Sequence, residues 1–375
     1  MGNPFFGVFL HAIGGFSSAS FYIPLRRIKQ WAWESYWLAQ GVMGWIIAPW
    51  VATFITTPNV VGVFAESPLK AIGWTYLYGV LWGIGALTFG LSMRYLGFSL
   101  GYALTLGFTL SFGTLMPPIY EGRFGKLAHE GYGQVILGGI VLSLIGLGLC
   151  AVAGARKERE LTEEQRKSTV QDYSLAKGLL VAIFAGVLSA CFAFGIAVGK
   201  PIAEVAGRTG THELYVNNPV FAIIVAGGFT TNLIFCLGLN IKNRTMKDYV
   251  SGPAVNYFLV GSAGLLWYMQ FFFYGMAETQ MGELGFASFA IHMAFIIVFG
   301  NLWGILLFKE WSGAKALTRN LVWAGITLLV ISTFIVGYGI KIQSEAKKPV
   351  PQALVDRSPG LQSVLVVEGR AVLAR

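Results

Sequence analysis

Long apolar stretches recur along this chain, and they limit what it can fold into more than any other feature. About twenty apolar residues are needed to cross the hydrocarbon core of a bilayer. Ten stretches reach that length, at about 5–24, 35–57, 71–93, 97–119, 131–153, 174–198, 216–239, 253–277, 284–308 and 319–341. Between them lie short polar loops. Of the 375 residues, 55% are hydrophobic and 12% charged, about half the charged share of an ordinary soluble domain. The expected fold class is an all-α membrane protein with ten transmembrane helices. The first stretch, FFGVFLHAIGGFSSASFYIP, lacks the basic leader of a signal peptide and is read as the first span.

The net charge of +9 comes from 27 Lys and Arg against 18 Asp and Glu. A soluble protein of that charge would suggest a nucleic-acid partner, but here the basic residues sit in loops beside apolar runs. The loops after spans 1, 3, 5, 7 and 9, with the residues bordering them, carry 16 of the 27. The N-terminus and the loops after the even spans carry 5. The bilayer is therefore the expected partner, not nucleic acid. The positive-inside rule puts Arg26, Arg27 and Lys29 in the cytoplasm and both termini outside. Cys150, Cys191 and Cys236 lie in apolar stretches with neither metal-site nor disulfide spacing. No metal site and no cofactor are expected.

The longest polar insert, 155–174, follows the fifth span. It suggests an N-terminal five-helix half at 1–154, a cytoplasmic linker at 155–173, a second half at 174–341 and a flexible tail at 342–375. Many transporters place a binding site between two such halves. No internal repeat is read by eye, so this division rests on span count and linker alone.

Polar and aromatic residues three or four apart mark one face of a helix. Span 1 has His11, Gly14, Gly15, Ser18 and Tyr22; span 3 has Tyr78, Trp82, Gly85 and Phe89. Span 8 has Trp267, Gln270, Phe271, Tyr274 and Glu278. Rings beside an amide and a phenol suit a sugar, whose C–H faces lie on rings while its hydroxyls take directional hydrogen bonds. The same pattern also fits an aromatic packing seam. Asn232 and Asn256 are further polar groups within spans. An ionisable group inside a membrane is costly unless it works. His11 and His292 are two such groups, on spans of opposite halves, and Glu34 opens span 2. Histidine titrates in the working range of a proton carrier, although a histidine bonded across the bundle would look the same. Pro49 and the Pro117-Pro118 pair should kink or end their helices.

Several longer strings carry a resemblance. They are FYIPLRRIKQWAWESYW at 21–37, LWGIGALTFGLSMRYLGFSLG at 81–101 and TLGFTLSFGTLMPPI at 105–119. KPIAEVAG at 200–207, ELYVNNP at 213–219, NLIFC at 232–236, LLWYMQFFFYG at 265–275, HMAF at 292–295 and LLFKEW at 306–311 complete the set. In these strings the chain resembles the bacterial L-rhamnose/proton symporter family of the drug/metabolite transporter superfamily. The resemblance implies a carrier in the bacterial inner membrane that takes L-rhamnose inward with a proton by alternating access. It also implies two five-helix inverted repeats. The family positions it carries over are His11, Tyr22, Glu34, Trp82, Arg94, Asn232, Asn256, Trp267, Gln270, Tyr274, His292 and Glu310. From chemistry, Trp82, Trp267, Gln270, Tyr274, Asn232 and Asn256 are the expected sugar-binding residues. His11, His292 and Glu34 are the expected proton-coupling residues. GMAETQMGELG at 275–285 is more acidic than the family pattern, and the tail beyond Lys341 extends past its usual end.

Two other readings stand beside this one. The first is an exporter or exchanger of another small metabolite on the same scaffold. The second is a sodium-coupled sugar carrier, since intramembrane carbonyls and hydroxyls also bind sodium. A membrane enzyme is disfavoured, because the sequence has neither an HExxH motif nor a metal-spaced Cys or His cluster.

Overall fold

The computed structural model describes residues 2–96, 98–160, 174–309 and 311–346. Among them ten long helical rods follow one another. They are α1 (Pro4–Ser20), α2 (Trp33–Thr56), α3 (Leu69–Leu96), α4 (Phe98–Tyr120), α5 (Gly131–Glu160), α6 (Leu175–Arg208), α7 (Asn218–Asn243), α8 (Val255–Thr279), α9 (Ala287–Leu306) and α10 (Ala316–Ala346). Eight of them contain described stretches long and apolar enough to cross a membrane, and α4 and α8 are the two others. Those two have 23 and 25 residues, ample for a span at 1.5 Å per residue. Trp267, Tyr268, Gln270 and Tyr274 lower the hydropathy of α8.

Local chemistry sets several boundaries. Asn3 caps α1 by accepting from the N–H groups of Phe5 and Phe6, and Pro4 fills the first turn, where a donor would be unused. α7 ends in a left-handed Arg244 at φ 58°. Pro49 lacks an N–H and crowds the turn before it, and α2 answers with a π-helical segment at Val42–Ile47. α4 runs through Pro117 and Pro118 and stops at Tyr120.

α5 continues to Glu160, into the segment expected to form the linker from residue 155. Two contacts hold this extra turn. Lys157 lies over the Trp311 ring, and Glu160 accepts from the Lys315 N–H and the Thr318 hydroxyl. These donors, with the Lys315 and Arg156 charges, hold the Glu160 carboxyl below the usual glutamate range. α10 likewise runs to Ala346, past residue 342 where the tail is expected to begin. The rest of the linker and tail lies outside the described residues.

Close helix pairings include α3 with α6, α5 with α10, α4 with α6, α3 with α7, and α1 with both α8 and α9. Particular contacts recur in them. Gly15 on α1 has no room for a side chain because Phe295 of α9 fills the space; Gly186 on α6 is filled in the same way by Phe108 of α4. Gly79 on α3 lies against the Ile224 carbonyl of α7, and Gly264 on α8 against the Gln40 carbonyl of α2. Between α5 and α10 the hydroxyls of Ser143 and Ser332 meet at 2.6 Å. Such close approach of small residues is how helices adhere where lipid removes the hydrophobic drive.

Candidate functional site

Three indoles stack at the centre of the bundle. Trp45 lies 4.8 Å from Trp267 and 5.4 Å from Trp82, and Trp82 lies 6.0 Å from Trp267. The π-helical segment before Pro49 contains Trp45, so that irregularity helps to set the stack. Phe192 and Phe271 pack on its edge. Each aromatic pair is worth about 0.5–1.5 kcal/mol beyond its buried area. Parting the stack therefore costs a few kcal/mol, which a two-state protein can tolerate.

Tyr274 touches the same cluster through Phe192 and Phe221. On its other side it meets two imidazoles. His11, Tyr274 and His292 form a triangle of rings with centroids 5.1, 5.1 and 5.5 Å apart. Both histidines are buried, and none of their four ring nitrogens has a hydrogen-bond partner among the described residues. Gly14 makes room for this meeting: a side chain there would press on the His292 ring and the Gln270 carbonyl. Buried, unpartnered imidazoles contribute little to holding a bundle together.

The other expected site residues are more dispersed. Gln270 is buried and donates to the Trp267 carbonyl on its own helix. Asn232 is one turn from Gly228, which abuts Trp45 and Trp82, and its amide nitrogen has no partner among the described residues. Asn256 lies at the far end of α8 and donates to the Lys29 carbonyl, fastening the loop after α1. Glu34 is at that same end, where its carboxylate accepts from Asn243 and Thr245. Beside it Ser35 and the Ala32 N–H donate to Asp248. Glu310 lies outside the described residues.

Two cavities flank the central cluster. The larger, about 510 Å³, opens where Arg26, Lys157 and Trp311 gather, between the C-terminal parts of α1, α5 and α9. Ser18, Tyr22, Phe89, Gly300, Asn301 and Trp303 line it. The smaller, about 60 Å³, lies towards the opposite end, between α4, α6 and α8, and includes Lys200, Tyr274, Glu278 and Phe289. Glu278 accepts there from Asn217. A polar and aromatic chamber of 510 Å³ falls within the usual range for a small-molecule site.

A profile of the L-rhamnose-proton symport protein (RhaT) matches residues 1–342, nearly the whole helical body. The chain belongs to this family. L-rhamnose-proton symporters of Salmonella gallinarum, Citrobacter koseri and Salmonella paratyphi B are each 36% identical to it over 341 residues. Each alignment covers 89% of this chain and 97% of the relative. Family membership makes this a transporter rather than an enzyme, and a multi-pass protein of the bacterial inner membrane.

With the family in place, the residues that sequence reasoning passed over can be named. Trp45, Phe192 and Phe221 complete the aromatic centre, and Asn301 and Trp303 line the larger cavity. For Phe192 and Asn301 the signal lay in repeated strings. Gly79-Val80-Leu81-Trp82 corresponds to Gly264-Leu265-Leu266-Trp267, and Phe112-Gly113-Thr114-Leu115 to Phe299-Gly300-Asn301-Leu302. Ser18-Ala19-Ser20-Phe21 corresponds to Ser189-Ala190-Cys191-Phe192.

Proposed function

We propose that this protein carries L-rhamnose, or a closely related deoxysugar, into the cytoplasm together with a proton, by exposing one central site to each side in turn. The L-rhamnose–proton symport of its relatives supports the substrate class. The unequal pair of cavities carries the alternating-access reading.

The reading needs two halves that can exchange roles. We assign α4 and α8 as spans, which gives ten in all and five in each half. Five crossings leave the second half inverted relative to the first. Pairing α1 with α6, α2 with α7, and so on, sends each close contact onto another. Gly15 against Phe295 becomes Gly186 against Phe108, and Gly79 against Ile224 becomes Gly264 against Gln40. Trp82 and Trp267 become partners, and the Ser143–Ser332 contact maps onto itself. The division at 1–154, 155–173, 174–341 and 342–375 follows this exchange. The positive-inside rule puts Arg26 and the linker in the cytoplasm, so the larger cavity faces inward in this conformation.

In this scheme Trp82, Trp267, Gln270 and Tyr274, with Asn232 near the stack and Asn256 at the cytoplasmic end of α8, act on the sugar and its path. His11 and His292 couple the proton. They sit between the cavities, and Tyr274 joins them to the outer one. Glu34, at the cytoplasmic mouth, is the next candidate. Purified protein in liposomes tests the function. L-rhamnose should accumulate under an inside-alkaline pH gradient and not under a sodium gradient alone. Sodium-driven uptake, or no uptake of any deoxysugar across a panel, rejects the proposal.

A further inference from the structure

The residues expected to bind the sugar are packed against one another here, while the sugar-sized space lies elsewhere. Gly300 faces that space and is exposed, and nothing lies within 4 Å of where its side chain would begin. Its counterpart in the other half is Gly113. There the Phe289 ring fills the corresponding position, and the cavity beside it shrinks to about 60 Å³. Each half thus has a helix glycine with room above it for one flat six-membered ring. In the closed cavity a side chain supplies that ring.

Polar groups beside Gly300 are disposed for hydroxyls. The Ser18 hydroxyl makes no hydrogen bond with any described residue. Asn301 uses its amide N–H on the Ile297 carbonyl, and its carbonyl oxygen accepts from no described residue. Phe89 lines the same cavity. A ring face, a hydroxyl and an amide oxygen suit a neutral pyranose, which needs both stacking and directional hydrogen bonds. Lys157 lies over Trp311 and Arg26 lies 3.5 Å from the centre of the Phe308 ring, so both cations at the mouth are held against rings.

We infer that in this conformation a pyranose sits over Gly300, with Ser18 and Asn301 as hydrogen-bonding partners and Phe89 along its path. The inference rests on the sugar-symport reading and names a binding position for it. It also explains the glycine, since any larger side chain at 300 would occupy the sugar's place without disturbing the protein.

The test is sugar binding to the purified, full-length protein, with L-rhamnose as probe within a panel of neutral hexoses and deoxyhexoses. Gly300→Phe should fold and melt as the parent does and lose at least 100-fold in affinity. Gly238→Phe, at another exposed helix glycine with open space around it, should bind as the parent does. Ser18→Ala and Asn301→Leu should each weaken binding roughly 5- to 100-fold. If Gly300→Phe misfolds, Gly300→Cys serves instead, and bound sugar should slow its alkylation by N-ethylmaleimide at least five-fold. Parent-like affinity in Gly300→Phe, or alkylation of Gly300→Cys unaffected by saturating sugar, overturns the site and leaves the transport reading standing. If the parent binds another panel sugar but not L-rhamnose, and Gly300→Phe abolishes that binding, the substrate reading fails and the site stands. A parent that binds no panel sugar overturns both.

Discussion

The two cavities of this molecule differ about eight-fold in volume, at about 510 and 60 Å³, and under the proposed exchange of halves they are built from corresponding parts. Phe89 in the larger occupies the place of Tyr274 in the smaller, and Gly304 that of Pro117. The difference is one of packing, because Phe289 lies on Gly113 whereas nothing lies on Gly300. Like-built walls in unlike states are what two-state exchange between halves requires. The partition between them consists of Trp45, Trp82, Trp267, His11, Tyr274 and His292.

Removing the histidines proposed to couple the proton should have the largest effect. In His11→Gln or His292→Gln, uptake driven by a pH gradient should fall at least ten-fold while sugar exchange across vesicles persists. Equal loss of both modes in folded protein would mean that the imidazoles only support the bundle. Unchanged concentrative uptake with an unchanged proton-to-sugar ratio in both variants would shift the role to Glu34.

Gln270 comes next. Replacement by Leu leaves sugar hydroxyls without a partner, at a cost of about 1–3 kcal/mol, or roughly 5- to 150-fold in affinity. Binding equal to the parent's would remove Gln270 from the site. A smaller effect is expected on the closed side. Phe289→Ala should unplug Gly113 and raise labelling of an Ala197→Cys reporter in the outer cavity by roughly ten-fold, a shift of about 1.4 kcal/mol between states. No change in that rate would show that other groups keep the outer side shut.

The smallest effect concerns the joint between the halves at Glu160. Its carboxyl is held below the usual glutamate range. The stabilisation is therefore complete above the ordinary glutamate value and fades as pH falls through the lowered one. Thr318→Val, which removes one donor to Glu160, should lower the melting temperature slightly near neutral pH. That difference should vanish once the pH has fallen below the lowered value. A difference that stays constant with pH would assign the effect to packing instead.

Much of this architecture was legible because a bilayer punishes exceptions. Every spanning segment must be long, helical and mostly apolar, so the apolar stretches map onto the helices closely. The face shared by Trp267, Gln270, Phe271 and Tyr274 follows from helical periodicity, and all four are buried. Pairings between helices were much less legible. His11 and His292 are far apart in sequence, and no periodicity brings their rings to 5.5 Å. Asn256 resembled any other intramembrane amide until its bond to the Lys29 carbonyl was seen. The proposed correspondence between the halves is not read by eye because it rests on glycines and single aromatic residues. Those are the positions fixed by close helix approach, while lipid-facing positions vary freely among apolar residues. The larger cavity was also hidden, since Gly300 and Asn301 are notable only for what does not pack against them.

Reciprocal accessibility of the two cavities tests the central claim most directly. In a background lacking the three native cysteines, Ala151→Cys reports on the larger cavity and Ala197→Cys on the smaller. Labelling rates with an impermeant maleimide would be measured from the appropriate side of oriented vesicles, with and without L-rhamnose at acid external pH. Sugar with protons should slow labelling at 151 and speed it at 197, each by several-fold and over the same range of sugar concentration. If both rates rise together, the path is a channel; if neither moves while sugar is being transported, the two cavities are not alternate faces of one site.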